Sequence, residues 1–585
     1  MQTGAQLRHL FVTIIRDCAP ADPRALWNTF WPHICDDIRH MLQTYANIPE
    51  PSEEQIKDCG LYLIDKLLAQ TGRRLQQWAG PAGLPQVVDN WGGILGNALI
   101  LEQQQYDPVE QARLAEECRA NLNADQQAAF ESITSAVADR TGETFFLHGP
   151  GGTGKTYLYN TLCYQLRSEQ KIVLCVAPSG IAALLLKGGC TAHSCFRIPI
   201  PCHESSICNI VKNSNQADLI RMTDLVIWDE APMQHRHVIE TVDRTFRDLC
   251  NSPDAPFGGI TFVFGGDFKQ ILPVIISGSR AQIVGACLQR SVLWRRITVL
   301  HLHQNMRLNT EVEAERDFAR WQLDVGKGMH TDDNSKILLP NSYHCRENTV
   351  ASLIETIYPG ITRPDLSSEY FAERTILCCL NKDVDVINHK VLQEFPGQSQ
   401  VFHSADCIPT SELSGPNDPL LNYPPEYLNE INCTGMPLAK LEVKVGCPVM
   451  VLRNLDAAHG LCNGSRGILK RCGNRVLEVE LITGSHAGQK VFIPRTNNVP
   501  TEEQVAFKFN RRQFPIRVCF AMTINKSQGQ SVKHVGLNLT TPAFTHGQFY
   551  VGISRVTSVS NLKMIWVEKE REAESKNIVY REVLL

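Results

Sequence analysis

The sequence of 585 residues lacks most features that assign a protein to a class at first sight. No apolar stretch approaches the ~18–20 residues needed to span a bilayer, so a transmembrane helix is excluded. The opening MQTGAQLRHLFVTIIRDC has no signal-peptide cleavage pattern, and its Asp17 argues against a mitochondrial leader. Charge of one sign is not in excess either. The 57 Lys and Arg stand against 61 Asp and Glu, a net charge of −4, which neither supports nor excludes nucleic-acid binding, because a basic groove needs no basic protein. Cysteine is plentiful, with 21 residues, yet no C-x-x-C pair occurs. Cys433, Cys447, Cys462 and Cys472 are spaced unlike a zinc finger or knuckle. Reduced, buried thiols in a soluble intracellular protein are expected. There is no long internal repeat and no low-complexity tail.

What is present is an ordinary globular composition, 43% hydrophobic and 20% charged, over a length that suits several domains. Residues 1–115 read as helical. Asp22-Pro23 has the form of an N-cap with Pro at the first helical position, opening PRALWNTFWPHICDDIRHML. Trp27, Phe30 and Trp31 form an aromatic stripe at helical spacing and are expected in a core. From 116 to 300, helical stretches alternate with the short apolar runs TFFLHG, KIVLCVAP, DLVIWDE and ITFVFGGD. Runs of this kind are buried parallel strands, so the expected class is α/β. A second αβ block is expected from Thr298-Val-Leu-His, continuing at RTILCCLNKDVDVINHKV, where Cys378 and Cys379 should face opposite sides of a strand. Residues 401–440 read as a long excursion, and 441–515 as short β segments forming a small barrel inserted in the second block.

The strongest chemical signal is Gly149-Pro150-Gly151-Gly152-Thr153-Gly154-Lys155-Thr156, between an apolar strand and an apolar helix. Glycines let backbone N–H groups fold around phosphate oxygens, Lys155 adds a cation for the β- and γ-phosphates, and Thr156 offers a hydroxyl to Mg²⁺. Such a loop needs a carboxylate on a neighbouring strand, and Leu225-Val226-Ile227-Trp228-Asp229-Glu230 supplies two. Asp229 would hold Mg²⁺, and Glu230 would orient the attacking water. The third strand ends in Gly265-Gly266-Asp267-Phe268-Lys269-Gln270, where Gln270 could sense the γ-phosphate.

Together with LNADQ, APSGIAALLLKGGCTAHSCFRIP, WDEAPM, GGDFKQILPV, HQNMR, GCPVMVLRNL, GLCNGSRG, FAMTINKSQGQS and HGQFYVGISRV, these motifs resemble the petite-integration-frequency (Pif) family of superfamily 1B DNA helicases. The resemblance covers about residues 116–570, and WDEAPM and TINKSQGQS are similar to the helicase part of Helitron transposons. It implies a P-loop NTPase fold with two RecA-like domains. Motor domain 1A would span 116–300, with a small 1B wedge near 196–220. Motor domain 2A would span 301–445 and 516–585, with an SH3-like 2B barrel at 446–515. The implied activity is ATP- and Mg²⁺-dependent 5′–3′ unwinding on single-stranded DNA and duplex junctions, in recombination, repair or telomere maintenance. The implied location is the nucleus, with the mitochondrion as the alternative. By the same resemblance Gln126 reads adenine, and Gln270, Arg307 and Arg555 contact the γ-phosphate. Thr191, His193, Ser194 and Phe196 lie along the single-strand path, Thr523, Lys526, Ser527 and Gln528 link DNA to the ATP cleft, and His546 and Gln548 precede the arginine finger. Asn525, where many relatives have His, and Gly552-Ile553 are departures that bear on subfamily.

Two patches admit a bland and a functional reading. FKFNRRQFPIR mixes aromatics and cations as single-strand grooves do, or is a barrel strand returning to the motor. His301-Leu302-His303 fits a nuclease metal pattern, or simple strand alternation. The alternatives to a genome-maintenance helicase are the motor part of a Helitron-type transposase and an inactive ATP- and DNA-binding remnant.

Overall fold

The computed structural model describes residues 4–18, 20–46, 48–69, 72–80, 83–94, 96–306, 312–409, 423–433, 435–456, 459–484, 486–500, 505, 507–530, 532–556, 558–567 and 573–585. Up to Arg119 the regular elements among the described residues are all helices, and their core gathers Phe11, Trp27, Ile38, Leu42, Ile64 and Trp91. Asp22 caps the helix Pro23–Ile34, its carboxylate accepting from the Ala25 N–H, with Pro23 at the first position. The helix expected to continue through Leu42 breaks at Cys35–Asp37 and resumes at Ile38–Tyr45. The acidic pair at the break serves another helix: Asp36 accepts from the Gly4 N–H and Asp37 takes two bonds from Arg8. Of the aromatic stripe, Trp27 is core and Trp31 packs on it, but Phe30 is half exposed.

A six-stranded, all-parallel sheet follows. Its strands are β1 (Thr144–His148), β2 (Ile172–Ala177), β3 (Cys190–Thr191), β4 (Thr223–Trp228), β5 (Thr261–Gly266) and β6 (Ile297–His301), in the order β3-β2-β4-β5-β1-β6. The central strands are continuous apolar runs because helices cover both faces. One face carries Phe146, Trp228, Phe262 and Phe264, and the other carries Phe145, Leu147, Ile227 and Val263. One expectation is corrected here. Thr298-Val-Leu-His does not open the second block; it is β6, paired in parallel with β1 in the first sheet.

The second parallel sheet has the order Ala521–Thr523, Arg374–Cys378, His534–Leu539, Leu562–Trp566. Cys378 and Cys379 enter different hydrophobic cores, as strand alternation requires. Between Cys378 and Ala521 the chain leaves for an antiparallel region. Its five-stranded sheet runs Lys490–Pro494, Val476–Leu481, Arg466–Cys472, Pro448–Val451, Ile516–Val518. Antiparallel pairing starts before residue 446, since Ser399–His403 pairs with Lys440–Lys444 and Ala405–Cys407 with Asn510–Gln513. All 21 cysteines are free. No helix among the described residues is long and apolar enough to cross a membrane.

Candidate functional site

The Gly149–Thr156 loop joins β1 to the helix Lys155–Ser168 and borders a cleft of about 260 Å³ between the two parallel-sheet blocks. Its turn needs Gly154 at φ +79°, where an added Cβ would also meet the Gln126 amide at 2.4 Å. On the other side the loop is open, since a Cβ at Gly151 would touch only the Arg555 guanidinium, 3.8 Å away. The Lys155 ammonium folds back on its own loop, donating to the Gly149 and Pro150 carbonyls at 2.6 and 3.2 Å. The cleft wall also carries Thr156, Asp229, Glu230, Gln270, Met306 and, from the second block, Gly529 and Arg555.

Burial sets the electrostatics. Glu230 sits at φ +50°, a left-handed conformation uncommon outside glycine and frequent at functional turns. Burial, then the neighbouring Asp229 charge, pushes its carboxyl up to about 7. Asp229 is also raised by burial, with Lys155 opposing. Arg555 is buried and lowered by desolvation. It donates to the Val551 and Gln530 carbonyls at 3.0 and 3.2 Å and to the Ser554 hydroxyl at 2.9 Å. Among the described residues no carboxylate is paired with it, and its face toward the loop is open. Gln270 Oε1 and Gln528 Oε1 are buried without a hydrogen-bond partner, although buried amides are usually satisfied. An open glycine cradle, a lone ammonium, a hydroxyl, two carboxylates and an orphaned amide fit a phosphate chain carrying a hard divalent cation. Thr156 and Asp229 are among the oxygen donors on the cleft wall, of the kind such a cation takes.

The two blocks meet through Glu230. Gln528, on the second block, donates to Glu230 Oε2 at 2.9 Å. Behind this bond lies a groove of about 350 Å³, walled by Thr191, His193, Lys526, Gln528 and three asparagines, Asn454, Asn463 and Asn525. Glu230 lines both the cleft and the groove. Lys526 is half-buried and lowered by desolvation, its Nζ 3.8 Å from Met450 Sδ. Below the cleft, Tyr550 donates to Asp267 Oδ2 at 2.9 Å across the two blocks. His546 accepts from the Tyr580 N–H at Nδ1, so its Nε2–H donates to the Phe268 carbonyl at 2.8 Å. Gly547 is obligatory there: at φ +70°, an added Cβ would lie 2.3 Å from the Lys269 carbonyl. Gln548 spends its amide on Asn525, Cys379 and the Phe544 N–H, so His546 and Gln548 brace the helix Gln548–Ile553 that leads to Arg555.

Burial sets apart the other residues expected at the site. Phe196 is not on a surface; it is fully buried between Trp228 and Phe246. Ser527 is fully buried, its hydroxyl donating to the Ile524 carbonyl. Gln126 does not line the cleft, because Oε1 accepts from the Asn123 N–H in a capping box and Nε2 donates to the Thr153 carbonyl, bracing the loop from behind. Ser194 is exposed and Thr523 half-buried, and neither is on the groove wall. Arg307 lies outside the described residues. In FKFNRRQFPIR the bland reading holds for Arg511, which is sealed against Asp406. His301 and His303 join no metal-binding cluster among the described residues. The sequence reading passed over Asp267 and Tyr550, although each sits inside a quoted motif. It also passed over Asn454 and Asn463, whose signal was the Asn463-Gly464 turn.

Comparison with known proteins agrees with this arrangement. Residues 121–336 match the family model of PIF1-like helicases, and residues 426–471 match that of the DNA helicase Pif1 2B domain. The chain is 26% identical over 480 residues to the ATP-dependent DNA helicase PIF1 of Xenopus laevis, covering 80% of this chain and 65% of that protein. It is 24% identical over 450 residues to the ATP-dependent DNA helicase Pif1 of Campylobacter jejuni, covering 73% of this chain and 90% of that protein. The match thus spans a little under two thirds of the animal relative's length. Among solved structures, Bacteroides Pif1 bound to ssDNA superposes with a TM-score of 0.54 at 21% identity, covering 79% of this chain and 94% of that one. Pif1 from Candida albicans gives 0.53 at 22% identity, covering 79% and 98%.

Proposed function

We propose that this chain is a Pif1-like helicase, an ATP-driven DNA motor moving 5′ to 3′ on single-stranded DNA. The observation that carries the reading is the Gln528–Glu230 bond, which ties the carboxylate of the cleft to the wall of the groove. ATP enters the cleft with its phosphates on the N–H groups of Gly151–Thr156, and Lys155 leaves the Gly149 carbonyl for the β- and γ-phosphates. Mg²⁺, held by Thr156 and Asp229, would neutralise charge on those phosphate oxygens. Glu230 orients the attacking water and Gln270 Oε1 accepts from it. Arg555 neutralises the transferring group when the two blocks close. The groove holds the strand through Lys526, His193 and the asparagine amides. Single-stranded DNA there competes for or tightens the Gln528–Glu230 bond, so each hydrolysis cycle alters the grip on the strand. The division into two motor domains, a wedge near 196–220 and an SH3-like barrel is part of this reading, as is action in the nucleus.

Purified protein with tailed duplexes tests it. A 5′-tailed duplex should be unwound with ATP and Mg²⁺, while blunt and 3′-tailed duplexes stay paired. Unwinding of the 3′-tailed substrate alone rejects the polarity, and DNA-independent or absent ATP hydrolysis rejects the motor. Strand affinity should fall steeply with salt, because phosphate contacts release counterions even from an acidic protein.

A further inference from the structure

Outside the cleft, the first helix and the antiparallel region together build a second polar cluster. His9, on the helix Gly4–Thr13, faces Asp456 and His459 on the turn before Arg466–Cys472. The His9 Nδ1 and His459 Nδ1 atoms lie 3.3 and 2.7 Å from the same oxygen, Asp456 Oδ2. The rings stand edge to face, 4.9 Å between centroids. All three donor atoms lie within 4.8 Å of one another, the one such group among the described residues. The other carboxylate oxygen, Asp456 Oδ1, is buried and has no hydrogen-bond partner. Backbone bonds from Leu455 and Asp456 to the Leu461 carbonyl, and from Leu461 back to Asp456, close the turn that presents the two residues.

We propose that His9, Asp456 and His459 bind a divalent transition-metal ion, of the kind represented by Zn²⁺, that clasps the N-terminal helices to the antiparallel region. Two imidazoles and a carboxylate are a donor set such ions favour. Tetrahedral bonds of about 2.0–2.1 Å set donor atoms roughly 3.3 Å apart. The His9–Asp456 pair already has that spacing, and the His459–Asp456 pair opens by a fraction of an ångström. A cavity of about 550 Å³ adjoins the three residues and leaves the fourth position to water. The two cations on its wall are neutralised elsewhere, Arg16 by Asp17 and Lys490 by Glu478, so neither opposes a bound ion at full charge. Because one ligand comes from residue 9 and two from a turn some 450 residues later, binding fixes the relative position of two regions. Arg512, which donates to the Asp17 carbonyl, joins the same two regions and holds the ligands near each other before the ion arrives.

The test uses the full chain with reduced thiols and cobalt(II) chloride as a spectroscopic probe. Wild-type protein should take up one equivalent more than the His459→Ala and Asp456→Asn variants. That equivalent should give visible ligand-field bands without the ultraviolet charge transfer of thiolate ligation. His9→Ala should lose the same equivalent, which shows that the first helix supplies a ligand. On wild-type protein alone, zinc chloride should slow amide hydrogen exchange along Gly4–Thr13. Equal cobalt stoichiometry in wild type and variants overturns the site and leaves a hydrogen-bonded His–Asp–His cluster. Exchange along that helix unchanged by zinc overturns the clasp, whether or not the variants fold.

Discussion

Arg555 at the cleft and Arg511 in the antiparallel region are both buried, and for different purposes. Arg511 is sealed: its guanidinium pairs with Asp406 at 2.7 Å, both side chains have no exposure, and its remaining donors go to the Leu428, Ile431 and Pro437 carbonyls. Arg555 has carbonyl and hydroxyl acceptors but no paired carboxylate among the described residues, and it faces the open side of the glycine loop. The first arrangement spends the whole charge on structure. The second holds a charge in a dry site and leaves its strongest interaction for something that arrives. Burial alone therefore does not separate Arg511 from Arg555; the committed counter-ion of the first does.

Substitutions can break or sharpen that contrast. The largest effect belongs to Lys155→Ala, which should fold normally and show no DNA-stimulated ATP hydrolysis, because the lone ammonium of the loop has no substitute. Near wild-type turnover in a phosphate-release assay would remove the cleft from the argument. Next, Arg555→Ala should bind ATP within a few-fold of wild type yet lose on the order of 10³-fold in turnover, with little recovery in Arg555→Lys, since an ammonium lacks the planar fork. Normal hydrolysis by Arg555→Ala would make it another Arg511.

Arg511→Ala should act on stability instead, costing about 3–5 kcal/mol by leaving Asp406 buried and unpaired. Urea unfolding measures this, and Arg511→Met combined with Asp406→Leu should recover most of the loss. If Arg511→Ala unfolds like wild type but weakens strand binding, the contrast is wrong in the antiparallel region.

The smallest effect is a pH dependence under the cleft. Burial, partly offset by the hydrogen bond to the Phe268 carbonyl, lowers His546 to about 4 from its ordinary 6.5. As pH falls through 6.5 the unfolded chain takes the proton first, so His546 contributes stability that is present above 6.5 and drains away toward 4. Between pH 7 and pH 5 the loss is roughly 2 kcal/mol. Urea unfolding of wild type and His546→Gln at both pH values should differ by that amount, and parallel losses in the two proteins would show that His546 is not held neutral.

The residues that were legible in sequence act through their own backbone. Gly149–Thr156 announces itself because a strand, a glycine turn and a helix start are contiguous. Asp229 and Glu230 do so because four apolar residues end in two carboxylates. Side-chain placement was not legible where a motif is continuous but its side chains diverge. Phe196 and Ser527 lie in stretches that border the groove, yet their own side chains turn into the core. Gln126 also caps a helix, a duty that LNADQ does not announce. The Gln528–Glu230 bond, 298 residues apart in the chain, has no local signature at all.

By itself, then, the sequence determined where strands, turns and phosphate-binding backbone form, because those follow from steric and hydrogen-bond rules acting over a few residues. Only the tertiary structure decided which charges are spent and which are free. Whether Arg511 meets Asp406, or Arg555 meets none, depends on segments far apart in the chain and on the cost of burying a charge without a partner.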